Sequence, residues 1–173
     1  MKKNFKKILS IVMILTLVFD MSATAFAGTN QVIDVTVEFI DENGSVYEVT
    51  TVSFDTNNFN GHLYTIPNNP GSAVITANTP TVMDATYKAL QELGMNGGMI
   101  TGWDTEGAGG MYITKMLGLE TETAADTSPT VWRGYAWEYE IEYAESDLYA
   151  TNVAATDGMT ISWWYRYCEE PIV

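Results

Sequence analysis

The residues with the clearest chemical potential are carboxylates that recur along the chain at short spacings. Glu138, Glu140 and Glu142 alternate, so in a β-strand all three would share one face. Asp104 and Glu106 have the same spacing within a glycine-dense stretch. Because Ca²⁺ takes about six to eight oxygen ligands, we interpret Asp104 and Glu106 as a candidate calcium site. We interpret the three glutamates as a solvated sheet face, with a low-affinity Ca²⁺ site as the alternative, and neither set has the spacing of an EF-hand loop.

Nucleophilic and zinc chemistry lack the residues they need. His62 is the only histidine and Cys168 the only cysteine. A catalytic nucleophile needs a base beside it, and a closed zinc site needs about four His or Cys ligands. Glu169 and Glu170 follow Cys168, and neighbouring negative charge raises a thiol pKa. We therefore predict no enzymatic activity. The one catalytic set left open is a pair of carboxyls that face each other across a cleft, as in glycoside hydrolysis.

Aromatic residues are abundant, with five Trp and ten Tyr in the chain. Trp163 and Tyr165 alternate with polar neighbours, which predicts that they lie in the core. Trp103 lies in the glycine-dense stretch, and Trp137 alternates with Tyr139 further on. Exposed Trp and Tyr side chains offer flat apolar area to carbohydrate rings, planar cofactors or protein partners.

The first residues have the pattern of a secretory signal peptide. Lys2, Lys3, Lys6 and Lys7 precede an uncharged, mostly apolar run of 12 residues, 8–19. The run is shorter than the roughly 20 residues of a membrane span, and Ala-Phe-Ala at 25–27 suits a signal peptidase. We predict a cleaved signal, residues 1–27, and a single secreted, extracellular domain, residues 28–173. Any association of that domain with the cell surface is expected to be non-covalent.

The charge of the mature domain limits its partners. Residues 1–27 hold four lysines and one aspartate, so 4 of the 8 basic and 21 of the 22 acidic residues remain, and the net charge changes from −14 to −17. Such a surface repels nucleic acid and anionic membranes. Cations and cationic ligands are favoured, although acidity also serves solubility. We expect no membrane insertion after signal cleavage.

Hydrophobic periodicity predicts an α+β domain in the order ββαβββ. The expected strands and helix, in chain order, are residues 35–40, 46–54, 82–93, 111–119, 131–143 and 159–167. A further short segment, 73–76, has the composition of a strand, and residues 55–72 and 94–110 are predicted to be loops.

Local signals mark the turns and the helix ends. Asn43-Gly44 is typical of a tight hairpin turn between the first two strands. Thr81 followed three residues later by Asp84 indicates a capping box at the helix start. Gly94 suits the residue just beyond the helix end. The helix is therefore expected to have about three turns and to cover one face of the sheet.

From the helix onward the chain resembles the transcobalamin-like C-terminal domain family. The resemblance is carried by Thr-Val-Met-Asp-Ala at 81–85, Gly-Gly-Met-Tyr-Ile-Thr-Lys-Met-Leu-Gly-Leu at 109–119, Trp-Glu-Tyr at 137–139 and Asp-Gly-Met-Thr-Ile-Ser-Trp at 157–163. These motifs occur in the family's order and span roughly residues 80–167. The resemblance implies a β-grasp-like mixed sheet with one helix packed on one face.

The same resemblance implies a ligand and the residues that would contact it. In the animal vitamin B12 carriers the related domain closes over one face of cobalamin, so a corrinoid is the first ligand we expect. The implied contact residues are Trp103, Met111, Tyr112, Ile113, Trp137 and Tyr139. Their role would be apolar and stacking contact with a large planar ligand, with Trp103 as a loop lid.

Two other functions remain open. The domain is alternatively a surface adhesion or interaction module that meets proteins or glycans through edge strands and aromatic patches. It is alternatively a divalent-cation-binding domain that uses the acidic loop residues Asp104 and Glu106.

Overall fold

The described part of the chain is mostly β-sheet with a single α-helix. The structure, a computed structural model, describes residues 32–65, 73–75, 78–95, 99–104 and 109–172. Within these residues it is a mixed α+β fold, which confirms the predicted class at that level. The predicted signal peptide, residues 1–27, lies outside the described residues.

Eleven strands and one helix follow one another along these residues. They are β1 (Val32–Ile40), β2 (Val46–Asp55), β3 (Leu63–Thr65), β4 (Ala73–Ile75), α1 (Val82–Glu92), β5 (Ile100–Asp104), β6 (Gly110–Met116), β7 (Leu119–Glu120), β8 (Glu122–Thr123), β9 (Val131–Ile141), β10 (Ala144–Glu145) and β11 (Thr160–Pro171).

The main sheet has six strands, in the order β10-β9-β11-β1-β2, with β8 also paired to β9. β1 runs parallel to β11 and antiparallel to β2, and β9 runs antiparallel to β11. The predicted hairpin of β1 and β2 is confirmed, and its turn places Gly44 at φ 77°. Two smaller sheets, β3-β4 and β5-β6-β7, complete the strands of the described residues.

Both predicted ends of α1 are confirmed. Asp84 N donates to Thr81 Oγ1 at 3.3 Å and Thr81 N donates to Asp84 Oδ2 at 2.8 Å, which together form the capping box. Leu93 is the C-cap, and Gly94 follows with φ 74°, a conformation that favours glycine. The described residues include no helix with the length and hydropathy of a membrane span.

The core lies between α1 and the inner face of the main sheet. Strand alternation turns Val35, Val37 and Phe39 of β1 inward, and none of the three has measurable exposure. Trp163 and Tyr165 of β11 are buried on the same face, as predicted. Trp163 Nε1 also donates to Thr86 Oγ1 of α1 at 2.7 Å, so a buried hydrogen bond joins the helix to β11.

Two predicted loops contain strands. β5 lies inside the predicted loop 94–110 and pairs antiparallel with β6, and β3 lies inside the predicted loop 55–72. Neither strand shows a clear alternation of apolar and polar residues. β5 has the sequence Ile-Thr-Gly-Trp-Asp, and β3, with three residues, is too short to show a pattern. Both β3 and β5 form because they pair with a neighbouring strand. The preferences of single residues do not report such pairing.

Two predicted strands end earlier than expected, at residues with positive φ. Leu117 and Gly118, at φ 53° and 82°, form a turn that separates β6 from β7. Glu142 and Tyr143, at φ 50° and 65°, end β9 at Ile141. Glu142 therefore does not continue the strand face of Glu138 and Glu140, and its Oε1 accepts from Thr160 N at 2.7 Å instead.

Candidate functional site

A pocket of about 470 Å³ opens between β6, β9, β11 and the segment 146–153, which we call the strap. β6 and β9 supply Met111, Tyr112, Ile113, Trp137, Glu138 and Tyr139 to its wall. β10 and the strap supply Glu145, Ser146, Asp147, Leu148, Tyr149 and Ala150, and β11 supplies Trp163, Arg166 and Glu170. The pocket thus brings together five of the six residues that the family resemblance implied.

Most of these five residues are deeply buried. Met111 and Ile113 are 0% and 3% exposed, and Trp137 and Tyr139 are each 7% exposed. Tyr112 is 41% exposed, so it alone among the five has a large free surface. The pocket therefore has an apolar, mostly aromatic floor, with the Tyr112 ring as the side chain most available for stacking.

The polar ends of the floor aromatics are occupied by the protein. Trp137 Nε1 donates to Leu119 O at 3.1 Å. Tyr139 OH donates to Leu148 O at 2.6 Å and accepts from Ser146 Oγ at 2.9 Å. Burial raises the pKa of Tyr139, and the hydrogen bond from Ser146 only partly offsets that rise. These rings accordingly offer a ligand apolar contact rather than hydrogen bonds.

The strap is fastened to the elements around it. Met111 N donates to Thr151 Oγ1 at 3.2 Å, and Asn152 Nδ2 donates to Gly109 O at 2.7 Å. At the start of the helix, Met83 N donates to Ala150 O at 3.0 Å, so the strap also satisfies a free N–H of α1. One wall of the pocket is therefore tied both to the β5-β6 hairpin and to the helix.

Close packing of the strap depends on a glycine in β6. A Cβ at Gly110 would lie 2.2 Å from Cγ and 2.3 Å from Cβ of Tyr149, far inside the normal contact distance. Tyr149 also donates a hydrogen bond from its OH to Asp104 Oδ2 of β5. Gly110 thus leaves the space in which the Tyr149 ring rests on β6.

The rim of the pocket is acidic around one arginine. Arg166 contacts Glu138 at 2.5 Å, Glu140 at 3.3 Å and Glu145 at 2.5 Å. Burial by itself would lower the pKa of Arg166, but the hydrogen bonds and charges of Glu138 and Glu145 raise it. The four acidic residues that line the pocket are Glu138, Glu145, Asp147 and Glu170, against the single arginine. The lining has an excess of three negative charges, which favours a cationic group in a ligand.

The remaining predicted site residues lie elsewhere. Trp103 is a residue of β5, not of a loop, and its half-buried ring packs against the core outside the pocket lining. Asp104 accepts from Tyr149, and Glu106 lies outside the described residues. In the described ranges no group of three or more His, Cys, Asp or Glu side chains is arranged to hold a metal ion. The calcium site stays a prediction.

The two residues considered for nucleophilic chemistry are separate from the pocket. His62 packs against the rings of Tyr64 and Tyr87, with centroids 4.6 and 4.3 Å away. Cys168 is buried, and burial, together with the hydrogen bond to Glu138, raises the pKa of its thiol to about 12. At neutral pH this thiol is protonated, so it is a poor nucleophile.

The strap is the part of the site that the sequence did not indicate. Residues 144–156 lie between the predicted strands 131–143 and 159–167 and include four alanines, a composition that does not indicate a pocket wall. No spacing within the connection points to β6, because its partners lie about 40 residues earlier in the chain, as in the pair Met111 and Thr151. The one usable signal is Tyr149, the one aromatic residue between 144 and 156.

No protein-family model matches the chain, and a search of curated proteins finds no match for it.

Proposed function

We propose that this chain is an exported, non-enzymatic module that binds a ligand in the pocket beneath the strap. One observation carries the proposal: Met111, Tyr112, Ile113, Trp137 and Tyr139, chosen from sequence as ligand contacts, line a single pocket. Its volume of about 470 Å³ falls within the roughly 300–1,000 Å³ usual for small-molecule sites.

A corrinoid is the ligand that the family resemblance suggests, and we propose it as the first to test. Such a ligand is too large to enter the pocket whole, so it would lie across the opening with one edge inside. The exposed ring of Tyr112 would stack on it, and the buried floor would exclude water beneath it. A β-grasp-like arrangement, in which α1 crosses a mixed sheet begun by the β1-β2 hairpin, belongs to the same proposal.

The chemistry of the pocket lining supports binding rather than catalysis. The lining contains neither His62 nor Cys168, and its arginine is already paired with three glutamates. Glu138 and Glu145 both contact Arg166, so ion pairs already engage both carboxylates.

Titration of the secreted domain with cobalamin tests this proposal. We expect a Kd of about 1 µM or weaker, because the ligand is enclosed on one side only. Calorimetry and the cobalamin absorbance band report binding, and Tyr112→Ala is expected to weaken it at least tenfold. Tyr47→Ala removes a more exposed tyrosine from β2, which is not in the pocket lining, and should leave binding unchanged. Equal weakening by both variants, or no heat at millimolar cobalamin, would count against a corrinoid at this site.

The second candidate is an adhesion or interaction module, and the edge of the main sheet favours it. β2 pairs only with β1 among the described strands, and Val46, Tyr47 and Val49 are each at least half exposed on it. An exposed edge with apolar side chains is a template for contact with another protein.

Retention of the purified domain on cell-wall material tests this second candidate. We expect Tyr47→Ser combined with Val49→Thr to reduce retention severalfold, because the pair removes apolar contact area from the β2 edge. Tyr112→Ala, which changes the pocket, should have no effect on retention. If only Tyr112→Ala reduced retention, the pocket rather than the edge would be responsible.

A further inference from the structure

β9 is open along its middle on the side that faces the pocket. On that side β8 pairs with Gly134 and Tyr135, and β10 pairs with Glu140 and Ile141. Residues 136–138 between them have no partner strand there among the residues that the structure describes. The sheet edge thus has a gap, flanked at both ends by strands that already continue the sheet.

The backbone in this gap points toward the pocket. Ala124 N donates to Arg133 O at 2.7 Å, and Ser146 N donates to Tyr139 O at 3.4 Å, so both carbonyls point to the β8 and β10 side. In an antiparallel strand the backbone groups of alternate residues point to the same side. Trp137 lies an even number of positions from both Arg133 and Tyr139, so its N–H and C=O point to the open side as well. These two groups can pair with an added strand.

The opposite wall of the pocket is a second open edge. β5 pairs with β6 along one side, from Gly110 to Lys115. On its other side β6 pairs with β7 only at Lys115 and Met116. The stretch of β6 that lines the pocket, Met111 to Ile113, therefore has no partner strand facing β9 in the described ranges. On this wall Met111 N already donates to Thr151 Oγ1 of the strap, so an extended chain in the pocket would add to β9 rather than to β6.

The charges of the pocket lining favour particular side chains in such a ligand. Arg166 is already paired with three glutamates, whereas Asp147 and Glu170 form no ion pair with any described residue. Both lie in the pocket lining, where their negative charge favours a Lys or Arg side chain. We propose that the pocket binds a short extended peptide that adds to the open edge of β9 and places one basic side chain near Asp147 and another near Glu170. This inference rests on the proposed function, since it uses the same pocket and names the class of ligand.

Calorimetry with a blocked hexapeptide of alternating lysine and valine, acetylated and amidated at its ends, tests the inference. We expect saturable binding with a Kd on the order of 100 µM. The same peptide N-methylated at every backbone amide keeps its side chains and charge but loses its N–H donors, and should bind at least tenfold more weakly. The analogue with glutamate in place of lysine should not bind.

Two matched double variants distinguish the effect of the acidic residues in the pocket lining from the effect of the net charge of the domain. Asp147→Asn with Glu170→Gln should weaken binding of the lysine peptide at least fivefold. Glu42→Gln with Glu92→Gln removes two charges from exposed positions outside the pocket and should change binding less than twofold. Undiminished binding of the N-methylated peptide, or equal weakening by both variant pairs, would overturn strand addition in favour of diffuse charge attraction. Cobalamin binding that depends on Tyr112, with no peptide binding, would overturn this inference and leave the proposed function standing.

Discussion

Replacing Asp84 by alanine is expected to lower the free energy of unfolding by about 3 kcal/mol. The carboxylate is 3% exposed and accepts three hydrogen bonds, from Thr81 N at 2.8 Å, Thr81 Oγ1 at 2.7 Å and Tyr64 OH at 2.8 Å. Its removal ends the capping box and leaves the buried Tyr64 hydroxyl without this acceptor. An unmade hydrogen bond at a buried polar group costs about 1–3 kcal/mol, and loss of a cap about 1 kcal/mol more.

Urea unfolding followed by tryptophan fluorescence measures this change. The midpoint should fall with little change in the slope, provided that the transition is two-state. Tyr64→Phe, which removes one donor and leaves Asp84 bonded to Thr81, should have a smaller effect, about 1 kcal/mol. Glu92→Ala, at an exposed position in the same helix, should stay within about 0.5 kcal/mol. An effect of Asp84→Ala no larger than that of Glu92→Ala would show that the buried carboxylate does not stabilise the helix start.

The parts of the fold that could be predicted from sequence are those set by local patterns. The alternation of Val35, Val37 and Phe39 is visible in five consecutive residues, and the capping box joins Thr81 to Asp84 across one helical turn. Such signals work because burial of one face and satisfaction of helix-end N–H groups depend on neighbours in sequence. β3 and β5 had no such signal, since β5 exists through its pairing with β6, whereas β4 lies within the strand-like segment 73–76.

The site was predictable only in part, for the same physical reason. The β6 and β9 residues were identified through the family resemblance, and they do line one pocket. Their burial was not foreseen: Met111 and Ile113 form a floor beneath the opening, whereas Tyr112 reaches solvent. The strap wall could not be inferred, because its position depends on contacts such as Tyr149 on Gly110, between residues with no shared pattern.

Gly110→Ala is expected to displace the strap and to weaken ligand binding in the pocket at least tenfold. The added methyl group would lie 2.2 Å from Cγ and 2.3 Å from Cβ of Tyr149, and the Cβ cannot move aside by a change of rotamer. The strap must then shift, together with the Leu148 carbonyl that accepts from Tyr139 OH. Overpacking of this kind costs about 1–3 kcal/mol, so the free energy of unfolding should also fall. Urea unfolding and ligand titration of the same variant measure the two effects.

A double-mutant cycle with Tyr149→Gly shows whether the clash with this side chain is the cause. Tyr149→Gly alone loses the ring packing and the hydrogen bond to Asp104, and should itself destabilise the domain. In the Gly110→Ala, Tyr149→Gly double variant the three Tyr149 atoms nearest the added methyl group, Cβ, Cγ and Cδ2, are gone, so the methyl group should cost little more. The double variant should therefore be more stable than the sum of the single effects predicts, by about 1–2 kcal/mol. Additivity within about 0.5 kcal/mol would mean that Gly110 is required for some reason other than its contact with the strap.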